Sequence, residues 1–467
     1  MSTPDDLAKQ AQGPVLTWTV WCLVVLAILL RVGAVAALKS WRFPGTIEHG
    51  LIARMLLEGE GFAFIDFGYR GPSSVQSPTY PLLLAGLYWL FGVESAAAHI
   101  AAMLINALLG GLSVALTYML AGALGGARGV ALLAAAAVAI WPTQIYAATY
   151  AQAIVMITAG LTGMLLMFQK AVSSGRLWPW VMFSVIGALT ALTEPVLLPA
   201  LAFAGVMILL WPTLGWAARL RNGAILLAAT LAIIGPWTLR NRMVHGEWIP
   251  IKSTFWVNMW KGNNDYATGT DRVAITDEQL AKLRAAQGAD GPLAVRGGQL
   301  DSLRQYDMLT PEQLQRLHGK PDAEREKVFR EWTLQWIAAN PGGYARLCLL
   351  RLAKSLWVEW DNPQARNLVY IGSRTVLALL SAVGLVLALR ARWALTFPLV
   401  VYGSALALSA LTITAARFWV PFEPMLMCLG ALLAWWLARK GKFGAPNVAP
   451  AIAASNKEGI VNRFRVV

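Results

Sequence analysis

Apolar runs long enough to cross a bilayer recur from one end of this chain to the other, and no other feature restricts its fold so severely. Crossing a hydrocarbon core ~30 Å thick takes roughly 20 apolar residues in a helix. About ten candidate spans can be marked, centred on residues 17–37, 96–120, 131–150, 151–168, 177–193, 195–211, 225–238, 375–389, 395–413 and 421–437. Inside a bilayer no water is available to the backbone, so such runs must close their hydrogen bonds within themselves, as helices. Composition agrees, with 57% of the 467 residues hydrophobic and only 14% charged. The chain is therefore expected to be an all-α polytopic membrane protein. Its first run, 15–38, exceeds the apolar region of a signal peptide, and Asp5 and Asp6 stand where such a peptide is basic. It is expected to persist as the first span.

A net charge of +14 can serve nucleic acid, anionic lipid or basic cytoplasmic loops, and the positions of the charges decide between them. Arg128, Lys170 with Arg176, Arg219 with Arg221, Arg390 with Arg392, and Arg439, Lys440 and Lys442 fall in alternate short connections. The positive-inside rule makes those connections and both termini cytoplasmic, in a multi-pass protein of the inner membrane. No helix-turn-helix, zinc-finger or RNP pattern competes, which argues against nucleic acid as a partner. The three cysteines, Cys22, Cys348 and Cys428, are too scattered for a disulfide framework and read as small apolar fillers. The four histidines, His49, His99, His245 and His318, show no metal-ligand spacing, so no metal site is assigned to them.

The expected organisation is a transmembrane module over 1–238 with a first outer loop at 39–95, an extracytoplasmic segment at 239–371, C-terminal spans at 372–438 and a cytoplasmic tail at 439–467. In the first outer loop, IEHGLIARMLL places Ile47, Leu51 and Met55 on one side, which predicts a helix lying in the interface plane. PTYPLLLAGLYWLFG is too short and too interrupted by proline to span, so it too should lie at the surface. The second long segment holds most of the polar sequence and predicts a small, mostly helical domain, with Thr310 as N-cap ahead of Pro311. Its exit, YARLCLLRLAKSLWVEW, interleaves Arg346, Arg351 and Lys354 with Leu and Trp, the pattern of another interfacial helix.

A transporter normally carries its polar groups near the bilayer midplane. Here the spans are nearly free of acids: Glu194 and Glu423 stand at outer ends, and Arg31 lies in the outer part of the first span, where it can snorkel. The polar groups gather on the outer face instead. The strongest cluster, PWTLRNRMVHGEWIPIKSTFWVNMWKGNN, sets Arg240, Arg242, Lys252 and Lys261 among Trp237, Trp248, Trp256 and Trp260. Guanidinium groups bind phosphate through paired donors and tryptophan seats a lipid chain at the interface, so this surface suits an anionic headgroup on a lipid. An aromatic belt with basic anchors is the plainer reading, although the positive-inside rule predicts fewer basic residues here.

PWTLRN followed by GEWIPI and WKGNN resembles the seventh-span exit of bacterial GT-C glycosyltransferases, in the group that includes protein mannosyltransferases and the aminoarabinose transferase. EHGLIARMLLEGEGF with SPTYPLLLAGLYWLFG looks like the first outer loop of that family, and ARFWVPFEPMLMCLGA looks like its last span. The resemblance implies a GT-C type transmembrane bundle that transfers a sugar from a polyprenyl-phosphate donor to an acceptor hydroxyl on the outer face. It also implies a catalytic acid just after the first span, which falls on Glu48; Gly45 and Thr46 occupy places where many members have acids, and the chain matches members with a single Glu.

The chemistry is consistent on its own terms. A sugar phosphate already carries a good leaving group, so the paired acids of a glycosidase are not required. One base for the acceptor proton and cations for the departing phosphate suffice, with inversion at the anomeric centre. Glu48 is the candidate base, or alternatively a group that orients the hydroxyl or holds a divalent cation, which is the one cofactor this reading admits. A helix N-terminal acid interacting with the helix dipole is its plain structural alternative. The candidate phosphate-binding cations are Arg240, Arg242, Lys252, Lys261, Arg417 and Arg70, and the candidate substrate-binding residues are His49, Tyr150, Gln152, Glu194 and Asn263. Expected partners are the polyprenyl-phosphate sugar, membrane lipids and a glycan, lipid or protein acceptor. The rival readings are a lipid or solute transporter of the envelope and an O-antigen ligase or polymerase, whose typical large loop near the end of the spans is missing from this sequence.

Overall fold

The computed structural model describes residues 16–288, 303–362 and 365–439. Each of the marked runs is helical. Six helices are long and apolar enough to cross a membrane by themselves: α1 (Trp18–Leu38), α4 (Ala96–Leu124), α7 (Ile154–Ser174), α10 (Trp216–His245), α16 (Leu368–Arg390) and the final Ala416–Ala438, whose α-helical part is α18 (Glu423–Ala438). Shorter apolar helices complete the set: α3 (Thr79–Phe91), α5 (Arg128–Ile140), α8 (Leu177–Thr193), α9 (Leu198–Leu210, entered through a 3-10 turn at Pro195–Leu197) and α17 (Thr396–Leu411). The run marked at 131–150 is two helices, because Pro142 opens a separate short helix, α6 (Pro142–Ala147). The core lies where α4, α5, α7 and α18 meet, with α5 presenting Ala131, Ala134, Ala135 and Ala139 so that neighbouring helices approach closely. The tail expected after Arg439 lies outside the described residues.

Arg31 departs from its expected role. It is fully buried and donates to the carbonyls of Ala27 (3.0 Å), Ala139 (3.2 Å) and Val138 (3.2 Å). The reason lies in α5: it ends at Ile140 just before Pro142, leaving its last carbonyls without intrahelical partners. The guanidinium satisfies them from the neighbouring helix, which is a better solution than reaching for the interface.

At one end of the bundle the long connections fold together. α2 (Ile47–Leu57) and α3 are the two helices expected in the first loop, α3 being apolar on its exposed face as well, with Leu82, Trp89 and Leu90 outward. Between them stands a hairpin not expected from the sequence, β1 (Ala63–Asp66) paired antiparallel with β2 (Tyr69–Pro72). Its two-residue turn, Phe67-Gly68, has φ of 47° and 75°, the geometry that matches strand twist. The second long connection is mostly helical as expected, with α11 (Phe255–Gly262), α12 (Asp277–Gln287), α13 (Pro311–Leu317), α14 (Asp322–Ala339) and α15 (Pro341–Leu356). Thr310 caps α13, accepting from the Gln313 N–H at 3.2 Å, with Pro311 in the first turn.

Candidate functional site

The site is assembled on α14, whose residues Asp322, Arg325 and Glu326 are spaced i, i+3, i+4 and so share one face. Each fastens a different segment. The buried Asp322 carboxylate accepts from the Ser74 N–H at 2.7 Å, from Ser253 Oγ, and from Ser73 Oγ at 3.4 Å, locking the first loop to the 246–254 segment. Arg325 pairs with Asp66 at 3.1 Å and donates to the Asp66 carbonyl at 2.9 Å, fixing the end of β1. Glu326 caps α11, accepting from the N–H groups of Trp256 (2.7 Å) and Val257 (2.8 Å). Thus α14 holds the hairpin and the helix carrying Lys261 in a fixed relation.

The WKGNN stretch follows from packing. Trp260 stacks on Tyr306 at 6.1 Å and 14° and meets Phe329. A Cβ on Gly262 would lie 1.9 Å from the Thr412 carbonyl oxygen, so only glycine allows this approach. Asn263 is fully buried; its Nδ2 donates to the Met259 carbonyl at 2.7 Å, and its Oδ1 accepts from both terminal nitrogens of Arg351 at 3.1 Å. Arg351 in turn donates to the carbonyls of Ala410 (2.6 Å) and Gly262 (2.7 Å). The buried Glu359 accepts the Ala416 N–H at 2.6 Å, setting the turn that carries Arg417. These fastenings bring Lys261 within electrostatic reach of Arg417, Glu48, Asp66 and Asp271.

Of the residues selected from the sequence, Glu48, His49, Lys252, Lys261 and Arg417 converge. Glu48, in the first turn of α2, is partly buried, and its carboxylate makes no hydrogen bond or salt bridge among the described residues. Lys261 forms no salt bridge among them either; its amine sits 4.3 Å above the Tyr306 ring, and burial pulls its pKa down. Arg417 is exposed and touches only the Phe418 ring among the described contacts. His49 packs against Tyr80 with its Nδ1 buried and unpartnered, and burial, followed by the nearby charges of Lys252 and Arg417, pushes its pKa down to about 3. Asp66 joins them, its carboxyl pushed up by burial against the opposing pull of Arg325 and Lys261.

The other candidates have partners of their own, and Lys252 also has one. Arg240 donates to the carbonyls of Ser73 (2.8 Å) and Phe62 (2.8 Å) and to Ser74 Oγ (3.1 Å), stacked on Trp237. Asn241 accepts from Ser74 Oγ at 2.7 Å and donates to the Ile249 carbonyl at 3.0 Å, so the PWTLRN stretch is a knot between α10 and the first loop. Within that knot Ser74, His245 and Asp322 line up in the order of a hydrolytic triad, Oγ to Nε2 at 2.8 Å and Nδ1 to Oδ1 at 3.5 Å. Ser74 is completely buried and cannot meet a substrate. Arg242 lies exposed over Trp248. Arg70 pairs with Glu60 and, at 3.9 Å, with Glu58 on the hairpin surface. Lys252 is 3.8 Å from Glu194, which occupies the C-cap of α8. Tyr150 shares a hydroxyl contact with Tyr146 at 2.5 Å, and the Gln152 amide donates to the Gly45 carbonyl at 2.8 Å.

No family model and no characterised protein matches the sequence. Solved structures do match. An oligosaccharyltransferase from Archaeoglobus fulgidus, in its apo form, aligns over 94% of this chain and 54% of its own, with 14% identity and a TM-score of 0.50. The chain has the GT-C fold. It spans about half the length of that transferase. Also similar are ArnT from Cupriavidus metallidurans bound to undecaprenyl phosphate (16% identity, 90% of this chain and 78% of that one, TM-score 0.40) and the AglB oligosaccharyltransferase of Archaeoglobus fulgidus with an inhibitory peptide and a dolichol-phosphate (13%, 96% and 53%, 0.48).

Asp66, Arg325, Glu326, Arg351 and Glu359 were not selected from the sequence. A spacing of three charges on one helix face marks α14, but their partners lie far along the chain and no local signal points to them. Arg351 and Glu359 do lie in the stretch read as an interfacial exit, which accounts for their charge without revealing their partners.

Proposed function

We propose that this chain is a membrane glycosyltransferase that moves a sugar from a polyprenyl-phosphate carrier to an acceptor hydroxyl, with inversion. The observation that carries the reading is the convergence of a partly buried carboxylate, Glu48, with two cations, Lys261 and Arg417, none of which forms a salt bridge within the described protein. Buried charges in a folded protein are ordinarily paired, so a partly buried carboxylate and a lysine amine without salt bridges, with an exposed arginine beside them, suit a charged ligand. The fold is consistent with this reading.

In the proposed reaction the acceptor oxygen attacks the anomeric carbon as its proton passes to Glu48. The bond from that carbon to the phosphate oxygen breaks, and the electron pair leaves with the phosphate. Lys261 and Arg417 stabilise the charge that develops there, with Lys252 beside them. His49, with its pKa near 3, stays neutral and cannot compete as the base; its unpartnered Nδ1 offers a hydrogen bond to substrate. Arg240, Asn263 and Arg70 act as fastenings. Among the described residues no three His, Cys, Asp or Glu side chains group into a metal site of their own; a divalent cation brought with the donor phosphate would be held by Glu48 and Asp66, which lie within electrostatic reach of each other, and no step is routed through one.

The basic residues Arg128, Lys170, Arg219, Arg390 and Arg439 stand at or near helix ends that alternate, span by span, with the ends leading into the two long connections that build this site. The positive-inside rule makes those basic ends cytoplasmic and the site outward-facing, in the inner membrane. The acceptor is a glycan, lipid or protein, and membrane lipids surround the spans. Purified protein in liposomes with a radiolabelled polyprenyl-phosphate sugar and a panel of hydroxyl acceptors tests the proposal. Labelled acceptor supports it; lipid or solute movement without any transfer product would establish a transporter instead.

A further inference from the structure

The chain approaching Glu48 adopts a conformation it would not choose alone. Gly45 has φ of 62° and Ile47 has φ of 41°. Positive φ suits glycine, but in a β-branched residue it is a strained outlier that persists only where the surroundings impose it. The imposing element here is the turn after α6. Gln152 Nε2 donates to the Gly45 carbonyl at 2.8 Å, and the Ala151 N–H donates to the Pro44 carbonyl at 2.8 Å. The turn itself is held to α4 by Asn106, whose amide donates to the Tyr150 carbonyl at 2.8 Å. The Tyr150 ring closes the remaining space, since a Cβ on Gly45 would lie 2.6 Å from it. Directly after this clamp α2 begins, and Glu48 is in its first turn.

We propose that Gln152 is a positioning residue for Glu48. Its amide holds the Gly45 carbonyl, keeps the strained Gly45-Thr46-Ile47 turn closed and so fixes the direction in which α2 presents its carboxylate. A glutamate of the same shape could not serve, because an ionised carboxylate has no proton to donate and would oppose the carbonyl oxygen. The inference rests on Glu48 as the base, but the clamp itself is independently measurable.

Gln152→Glu and Gln152→Ala, with wild type as reference, should each lower kcat by roughly tenfold to hundredfold, with KM for the lipid-linked donor within about twofold. Amide hydrogen exchange across 45–50 should accelerate by a similar factor. In a Glu48→Gln background, Gln152→Glu should reduce residual transfer no further, since both changes act through one group. A raised donor KM at unchanged kcat and unchanged exchange would overturn the proposal and make Gln152 a sugar-binding residue. Unchanged kcat and exchange would overturn it outright. If exchange accelerates while Glu48→Gln retains full transfer, the clamp stands as structure, but its positioning of a base falls with the base itself.

Discussion

Replacing Arg351 by methionine removes a fully buried guanidinium and leaves its acceptors behind. Those are the carbonyls of Ala410 and Gly262 and the side-chain oxygen of Asn263, at 2.6, 2.7 and 3.1 Å. Methionine fills much of the volume but donates nothing. A buried acceptor stripped of its partner costs ~1–3 kcal/mol, and part of the total is offset because no charge need be desolvated. A net loss of ~3 kcal/mol or more is expected at the end of α11, where Lys261 sits. That corresponds to roughly hundredfold faster local opening, readable by hydrogen exchange across 260–264 and 410–414 under native conditions. Arg351→Lys should rescue little, since one ammonium cannot span acceptors arranged for a planar fork. Exchange unchanged within about threefold in Arg351→Met would refute the claim that this guanidinium holds the Lys261 helix in place.

Lys261→Met should lower transfer by roughly a hundredfold or more while global unfolding is little changed, because the amine has no salt bridge to lose; kinetics beside a thermal melt decide. Arg70→Ala, which breaks only the exposed pairs with Glu60 and Glu58, should leave transfer within about twofold of wild type. Glu326 carries the clearest pH dependence: burial raises its pKa from the ordinary 4.5 to about 7. The folded state therefore holds a proton that the unfolded state releases, so stability falls as pH rises from about 4.5 to about 7, by up to ~3 kcal/mol, and levels off above. Glu326→Gln should flatten that slope, and an unaltered slope in denaturant titrations across this range would refute the assignment.

Much of this architecture is written in residue type. Apolar length marked all six of the described helices that are long and apolar enough to cross a membrane, because a bilayer tolerates few alternatives to a helix. Thr310 and Pro311 marked the start of α13 through local capping chemistry. What type cannot specify is which groups are consumed by internal partners. Arg240 and Lys261 look alike in a stretch of basic and aromatic residues, yet one donates to carbonyls of the first loop and the other forms no salt bridge. That difference depends on contacts far apart in sequence. Arg31 is the same case inside the bundle: its burial follows from where α5 runs out of hydrogen-bond partners, set by Pro142 in another helix. The hairpin was hidden because AFIDFGYRGP is short and sits inside a loop otherwise moulded on helices.

The central claim is that Glu48 takes the acceptor proton while the cations hold the donor. Glu48→Gln keeps the shape of the side chain and removes its basicity, so paired measurements of transfer rate and donor binding on this one variant test the claim most directly. Transfer should fall by at least roughly a hundredfold while binding of the polyprenyl-phosphate sugar stays within about threefold of wild type. Full transfer by Glu48→Gln would contradict it.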